Sequence, residues 1–251
     1  MNSATIAAIV FACLAGAVCL GKLIRRRISE RYLDADTKDV VKLCMGLVAT
    51  MAALLLGLLV SSAKGSYDAT RDAVTQLAGK AAVLDRVFTL YGPEATEAKS
   101  LFRAALEESN QHMWPAQRGA SDQVAPDTQA GNALYFAIMR LSPRDDTQRS
   151  LKTQAATLIV ELGQVRSLLQ SRSVSSISIP LLVMVVAWLV IISLGFSVLA
   201  PSNPVGNMAL LLSALAVASA IFLILELDRP FDGLVQISSK PIQDVLSRML
   251  K

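Results

Sequence analysis

The sequence is poor in charged and aromatic residues. Only 18% of its 251 residues are Asp, Glu, Lys or Arg, and only 5% are Phe, Trp or Tyr. A chain with 53% hydrophobic residues and so few charges lies outside the range of ordinary soluble domains. The shortage of charge therefore indicates that a lipid bilayer is the solvent for much of the chain.

Histidine and cysteine are also scarce, which argues against metal and disulfide chemistry. The one histidine, His112, lies near a predicted helix end, where a lone His is usually a surface or capping residue. The cysteines Cys13, Cys19 and Cys44 form no C-x-x-C pair and fall within apolar stretches, so they are predicted to be small buried hydrophobic residues. We expect no metal site, no cofactor and no catalytic residues.

One weak catalytic motif is present. The sequence "SSAK", Ser61 to Lys64, fits S-x-x-K, in which a lysine activates a serine nucleophile. The supporting motifs of such hydrolases are missing, so we interpret the serines as interfacial polar residues and Lys64 as a side chain that reaches the headgroups. The chain is therefore predicted not to be an enzyme.

Four stretches are long and apolar enough to cross a bilayer as helices, which takes about 20 residues each. They are residues 4–24, 43–63, 177–200 and 205–227. A polar region, residues 64–176, separates the two pairs, and a short C-terminal tail, residues 228–251, follows the last span. The pattern predicts an all-α, multi-pass integral membrane protein with four transmembrane helices in two pairs and a central extramembrane helical bundle.

The polar region contains two amphipathic stretches that predict a helical stalk. Each stretch repeats its apolar residues at alternating spacings of three and four, which is typical of a helix that buries one face. They are Val74, Leu77, Ala81, Leu84, Phe88 and Tyr91, and Leu151, Ala155, Leu158, Leu162, Val165 and Leu169. We predict that these two helices run side by side, with a third helix after Pro93 and a shorter one over residues 132–141.

The distribution of charge predicts no nucleic-acid binding surface in the polar region and does not decide the orientation in the membrane. The region 64–176 has 13 basic and 12 acidic residues, so no basic surface for nucleic acid is predicted there. Basic residues near span ends favour the cytoplasm, but the loop 25–42 has six and the opposite side has nine. The count leaves both orientations open.

The tail carries the most specific motif. The sequence "ILELDRPFDGLVQISSKPIQDVL", residues 224–246, resembles the segment after the last span of bestrophins, in which an acidic residue precedes Pro-Phe-Gly and a Pro-hydrophobic-x-Asp sequence follows. "GLLVSSAKGSYD", residues 57–68, also resembles the bacterial bestrophin-like group. The resemblance implies a homopentamer in the cell (inner) membrane, a central pore lined by the second span, an apolar neck and a cytoplasmic helical domain. Eukaryotic bestrophins have a calcium-binding acidic run at this point, where only Asp232 remains, which argues against calcium gating.

Physical properties of the second span give candidates for this neck. Met51 and Leu59 repeat at helical spacing with three further leucines, and Gly46 and Gly57 permit close approach of helices. A ring of leucines from several subunits can gate a pore by dewetting. The neck candidates are Leu54, Leu55 and Leu58, and the candidates for a polar vestibule below them, in which Lys64 favours anions, are Ser61, Ser62 and Lys64. Plain contact with lipid or another helix is the alternative for each leucine.

The charged end of the fourth span has two interpretations. Charges are costly in lipid, and Pro230 blocks further helical hydrogen bonds, so this segment serves at least as an interfacial stop signal. The other interpretation is a buried polar clasp that holds the tail against the stalk or a neighbouring subunit. Its candidate residues are Glu226, Asp228, Arg229, Pro230, Phe231 and Asp232.

Two functions follow as hypotheses. The first is an oligomeric bestrophin-like ion channel, whose partners are the bilayer and further copies of the chain. The second is a non-conducting membrane scaffold or sensor whose helical stalk binds another protein.

Overall fold

The computed structural model describes residues 2–27, 34–114, 128–172, 178–200, 204–231 and 233–249. These ranges are almost entirely helical and contain no strand, which confirms the predicted all-α class. The helices are α1 Ser3–Arg27, α2 Ala35–Tyr91, α3 Thr96–Met113, α4 Thr128–Arg140, α5 Asp146–Arg172, α6 Ile179–Leu199, α7 Pro204–Leu227 and α8 Lys240–Arg248. A short 3-10 helix, Pro93–Ala95, precedes α3.

Four of these helices, α1, α2, α6 and α7, are long and apolar enough to cross a membrane. The predicted number of spans is confirmed. The α2 helix has 57 residues, so at about 1.5 Å per residue it is far longer than a bilayer is thick. Its first half is apolar, and its second half carries the predicted amphipathic stripe.

The chain divides into two compact units. Residues 1–66 and 175–228 form the transmembrane unit, and residues 67–174 and 229–251 form the helical unit. Apart from Asp228, the tail that the sequence separates as residues 228–251 thus belongs to the same unit as the central helices.

In the transmembrane unit, α1 packs against α6 and α7. A β-carbon added at Gly21 would lie 2.7 Å from the Ser197 Cβ, so glycine allows α1 and α6 to approach closely. The Ser197 hydroxyl donates a hydrogen bond to the Val18 carbonyl oxygen at 2.6 Å. Gly46 and Gly57 face open space within the chain. The close approaches inside this unit therefore do not use the two glycines singled out in the sequence.

The end of α6 is held by a basic side chain of α1. The Arg25 guanidinium donates hydrogen bonds to the carbonyl oxygens of Val198 and Leu199, at 2.9 and 3.0 Å. Because the last carbonyls of a helix have no partner within it, a cation at this position stabilises the helix end.

The predicted burial of the three cysteines is wrong. Cys13, Cys19 and Cys44 are all exposed on the chain. A membrane-spanning helix can carry apolar residues on its outer face, because lipid solvates them as well as a protein core does.

The helical unit has a core built from the predicted stripes. All six residues of the α2 stripe are buried, together with Ala155, Leu162, Val165 and Leu169 of α5. Lys80 Nζ lies 2.8 Å from Glu161 Oε2, and Gln148 Nε2 donates to the Tyr91 carbonyl oxygen at 3.0 Å. Because these contacts run in opposite order along the two helices, α2 and α5 lie antiparallel and side by side over this stretch.

Local signals explain where these helices end and begin. Gly92 has a φ of +109°, a conformation that side-chain-bearing residues rarely adopt, and α2 ends just before it. The Asp145 carboxylate accepts a hydrogen bond from the Gln148 backbone amide at 2.6 Å, which caps the start of α5. The predicted helix start in "SPRDD", residues 142–146, is confirmed.

Candidate functional site

The transmembrane part of α2 has two distinct faces. One face is buried against its own chain through Ala52, Leu59 and Ala63, which are at most 3% exposed. Large apolar residues at spacings of three and four form the opposite face, which we call the outward stripe. The outward stripe consists of Val40, Leu43, Leu47, Met51, Leu54 and Leu58, each at least 49% exposed.

The structure separates the neck candidates. Leu54 and Leu58 lie on the outward stripe, with 75% and 59% of their surface exposed. Leu55 is partly buried and packs against the same apolar cluster as Leu59. An α-helix turns by about 100° per residue, so adjacent leucines point in different directions. Leu55 is therefore placed in the core of the chain, and only Leu54 and Leu58 stay available to a pore.

The polar end of the span continues the outward side. Ser61, Ser62 and Lys64 are all exposed. Ser61 follows Leu54 by seven residues and Leu58 by three, which places it on the outward stripe. Within the described residues Ser61 and Lys64 form no hydrogen bond with each other.

The charged end of α7 contains one buried carboxylate. The helix ends at Leu227, and Glu226 is only 7% exposed. Asp228 is partly buried, Arg229 is exposed and Pro230 is buried. Arg229 therefore lies beyond the end of α7. Asp232, the last clasp candidate, lies outside the described residues.

The tail is attached to the central helices through a residue that the sequence analysis did not single out, Trp114. Its indole Nε1 donates a hydrogen bond to the Ile237 carbonyl oxygen at 2.7 Å, and its ring meets the Phe231 ring edge-on with centroids 5.5 Å apart. The Ile237 amide donates to the Pro230 carbonyl oxygen at 2.8 Å. We call these four residues the tail latch.

One signal in the sequence could have indicated the latch. Trp114 is one of two tryptophans and directly precedes Pro115, which places it at a helix end. Buried tryptophan usually finds a partner for its N–H, and a helix end lies close to loops with free carbonyl groups. The structure shows Trp114 as the C-terminal capping residue of α3, with 2% of its surface exposed.

Across the described ranges, no three or more His, Cys, Asp or Glu side chains come together in a way that could hold an ion. The ring of His112 contacts the Glu108 carbonyl oxygen, one turn back on its own helix, at 3.0 Å.

Known protein families include one with this sequence pattern and this fold. Residues 12–242 match the family model of the bestrophin-like domain. The chain belongs to the bestrophin-like family. Two crystal structures of a bacterial bestrophin homolog from Klebsiella pneumoniae, each with one substitution, share its fold. They align with TM-scores of 0.71 and 0.69 at 12% and 13% identity, over 96% of this chain and 97% of theirs. A search of curated proteins finds no match.

The resemblance drawn from the tail is thus confirmed. The bestrophin-like match includes the outward stripe of α2, Trp114 and the tail as far as Ile242. At 12–13% identity the two solved structures establish the fold of this chain.

Proposed function

We propose that this bestrophin-like chain assembles as a symmetric oligomer, a pentamer by its family resemblance, around an ion-conducting pore lined by α2. The observation that carries the proposal is the outward stripe. It lies opposite the face that α2 buries in its own chain, and beyond the leucines it continues into Ser61, beside the exposed Ser62 and Lys64. Such a stripe suits a wall shared with symmetry-related copies.

The neck in this proposal consists of Leu54 and Leu58. Rings of leucine make a narrow pore too apolar for a stable water column, so they close it by dewetting. Ser61, Ser62 and Lys64 then line a polar vestibule, where the lysine favours anions. Leu55 and Leu59 support the wall from behind.

We also propose a location and an orientation for the protein. It is a multi-pass protein of the cell (inner) membrane with its helical unit in the cytoplasm. This orientation places the larger group of basic residues near span ends, nine against six, on the cytoplasmic side.

Single-channel recording tests the neck. The purified protein in planar bilayers is expected to pass current, and Leu58→Ala is expected to raise the open probability or leak several-fold, because a smaller apolar residue widens and wets the constriction. Leu212→Ala is the matched control, since Leu212 on α7 is 60% exposed against 59% for Leu58. If both variants raise the leak equally, α2 does not line the pore.

An image of the solubilised particle along its symmetry axis separates the channel from the alternative, a scaffold or sensor. The channel requires copies of α2 around an axial opening. An oligomer without such an opening, together with no current over a range of pH and calcium concentrations, would contradict the proposal.

A further inference from the structure

A cavity of about 470 Å³ lies within the helical unit, lined by residues of α2, α3, α4 and α5. Its volume is in the range of pockets that bind small molecules, about 300 to 1,000 Å³. Most of its wall is apolar and includes Leu77, Phe102, Leu106, Leu134 and Leu162, all of them largely or fully buried. The wall can therefore accept a compact apolar body.

One side of the cavity carries a positive charge. Arg166 of α5 lines the cavity and is partly buried. In the part of the chain that the structure describes, Arg166 takes part in no hydrogen bond and no ion pair. By contrast, Lys80 and Lys99 of the same unit each have a carboxylate partner at about 3 Å, Glu161 and Asp85.

A guanidinium that is partly removed from water is stabilised by an anion. Its planar fork matches a carboxylate with two parallel hydrogen bonds, and such bonds between charged groups are stronger than neutral ones. Asn132, Ser109 and Ser167 also line the cavity and add polar groups to the site. The cavity thus combines an apolar wall with one cationic side chain.

We propose that this cavity binds a small apolar carboxylate, with its carboxylate on Arg166 and its apolar body against the leucine and phenylalanine side chains. The ligand class is a monoanion with a single compact aromatic or aliphatic body. The site lies in the helical unit and does not depend on whether α2 forms a pore.

Fluorine NMR of the protein in lipid nanodiscs tests this proposal. The probe is para-trifluoromethylbenzoate, and the uncharged comparison compound is para-trifluoromethylbenzyl alcohol, with empty nanodiscs as the background. We expect saturable binding of the benzoate, about tenfold tighter than that of the alcohol, because only the benzoate forms charged hydrogen bonds to the guanidinium.

Two variants with matched controls locate the site. Arg166→Gln is expected to remove the preference for the benzoate, whereas Arg86→Gln, an exposed arginine of α2 outside the cavity, keeps it. Gly163→Leu fills the cavity and is expected to abolish binding of both compounds. Gly79→Leu is its control, because both glycines are helical and open around their added Cβ but only Gly163 lines the cavity.

Several results would overturn the proposal. Equal affinity for the benzoate and the alcohol would show that the charge of the ligand does not contribute to binding. An equal loss of the preference for the benzoate in Arg166→Gln and Arg86→Gln would show that Arg166 does not bind the carboxylate. Binding to Gly163→Leu at the wild-type level would place the ligand elsewhere. No saturable binding above the empty nanodiscs, as expected if another copy of the chain fills the cavity, would refute the site. None of these measurements involves current, so their failure is distinct from failure of the pore proposal.

Discussion

Gly21 shows how a single residue sets the packing of two membrane helices. Lipid chains are as apolar as leucine, so helices in a bilayer associate through close packing and hydrogen bonds. Gly21 provides the close approach to α6, and the Ser197 hydroxyl forms a buried hydrogen bond to α1 within the same contact. Both features require that no side chain separates the two backbones.

Gly21→Ala is expected to destabilise the transmembrane unit. The new methyl group would lie 2.7 Å from the Ser197 Cβ and 2.8 Å from the Leu194 carbonyl oxygen, so α1 has to move away. Overpacking of this kind costs about 1–3 kcal/mol, and a lower melting temperature of the purified protein would show it. Gly16→Ala on the same helix has open space and should not lower it. Equal melting temperatures for the two variants would contradict this account.

Tyr91 is a buried residue whose polar group is not satisfied. Its side chain is 3% exposed, and in the described part of the chain its hydroxyl has no hydrogen-bond partner. Burial raises the pKa of Tyr91 above its usual value, and the negative charges of Glu94 and Asp145 raise it further. The neutral hydroxyl is therefore the favoured form in the folded protein.

Tyr91→Phe is expected to leave the helical unit as stable or to stabilise it, because an unsatisfied buried polar group costs about 1–3 kcal/mol. Since the folded pKa is raised, the folded state binds the proton more tightly, so wild-type stability falls as the pH rises from about 10 through the folded pKa. In melting temperatures measured over this pH range, Tyr91→Phe should show a smaller decline than the wild type. Tyr135→Phe, at an exposed tyrosine, should keep it. A large loss of stability in Tyr91→Phe at neutral pH would show that the hydroxyl has a partner.

At the scale of helices, the two units differ in how well their sequence predicts which face of a helix is buried. In the helical unit, charged residues alternate with apolar ones, so the pattern identifies the buried face, and every predicted residue of the α2 stripe is buried. All faces of a membrane-spanning helix are apolar. The sequence therefore shows how long the span is but not which of its faces packs against the rest of the chain. Leu54 and Leu55 are adjacent and chemically identical, yet only Leu55 packs into the core.

The position of Trp114 at a helix end is visible in the sequence, but its partner in the tail is not. Trp114 and Ile237 are separated by 123 residues, and no local pattern encodes their hydrogen bond. The fold brings them together because Ile237, Ile242 and Val245 of the tail are buried in the same core as α3. The sequence indicated the importance of the tail but assigned its attachment to the charges rather than to these apolar and aromatic residues.

Trp114→Phe is expected to loosen the tail. The variant leaves the Ile237 carbonyl group without its donor, at a cost of about 1–3 kcal/mol, while an aromatic ring stays available to Phe231. Chymotrypsin should then cleave more rapidly after Leu246 of α8, which packs against the same core. Trp188→Phe, at the other tryptophan, should digest like the wild type. Unchanged cleavage after Leu246 in Trp114→Phe would show that the hydrogen bond does not hold the tail.

Glu226→Gln tests the polar clasp separately. If the buried carboxylate couples the end of α7 to assembly or gating, this variant should reduce the oligomer fraction in size-exclusion chromatography or change the current. Wild-type values of both would leave Glu226 as part of an interfacial stop signal.

At the scale of the whole molecule, the number of spans determines which parts share a side of the membrane. With the four helices that are long and apolar enough to span, α1, α2, α6 and α7, the chain would cross twice before the central helices and twice after them. The central helices and the tail therefore lie on the same side, as their common compact unit requires. The end of α1 would then lie on the other side, where Arg25 caps the end of α6.

Single cysteines tested with a membrane-impermeant maleimide would reveal this topology. With the three native cysteines replaced by alanine, Arg86→Cys in the helical unit and Ser247→Cys in the tail should react in inverted vesicles, and Asp36→Cys in right-side-out vesicles. All three positions are exposed, so reactivity reports the side of the membrane rather than burial. Labelling of Arg86→Cys and Ser247→Cys from opposite sides would contradict the four-span topology. Labelling of both from outside would keep that topology and reverse the proposed orientation, because the number of crossings and the side of the first one are independent properties.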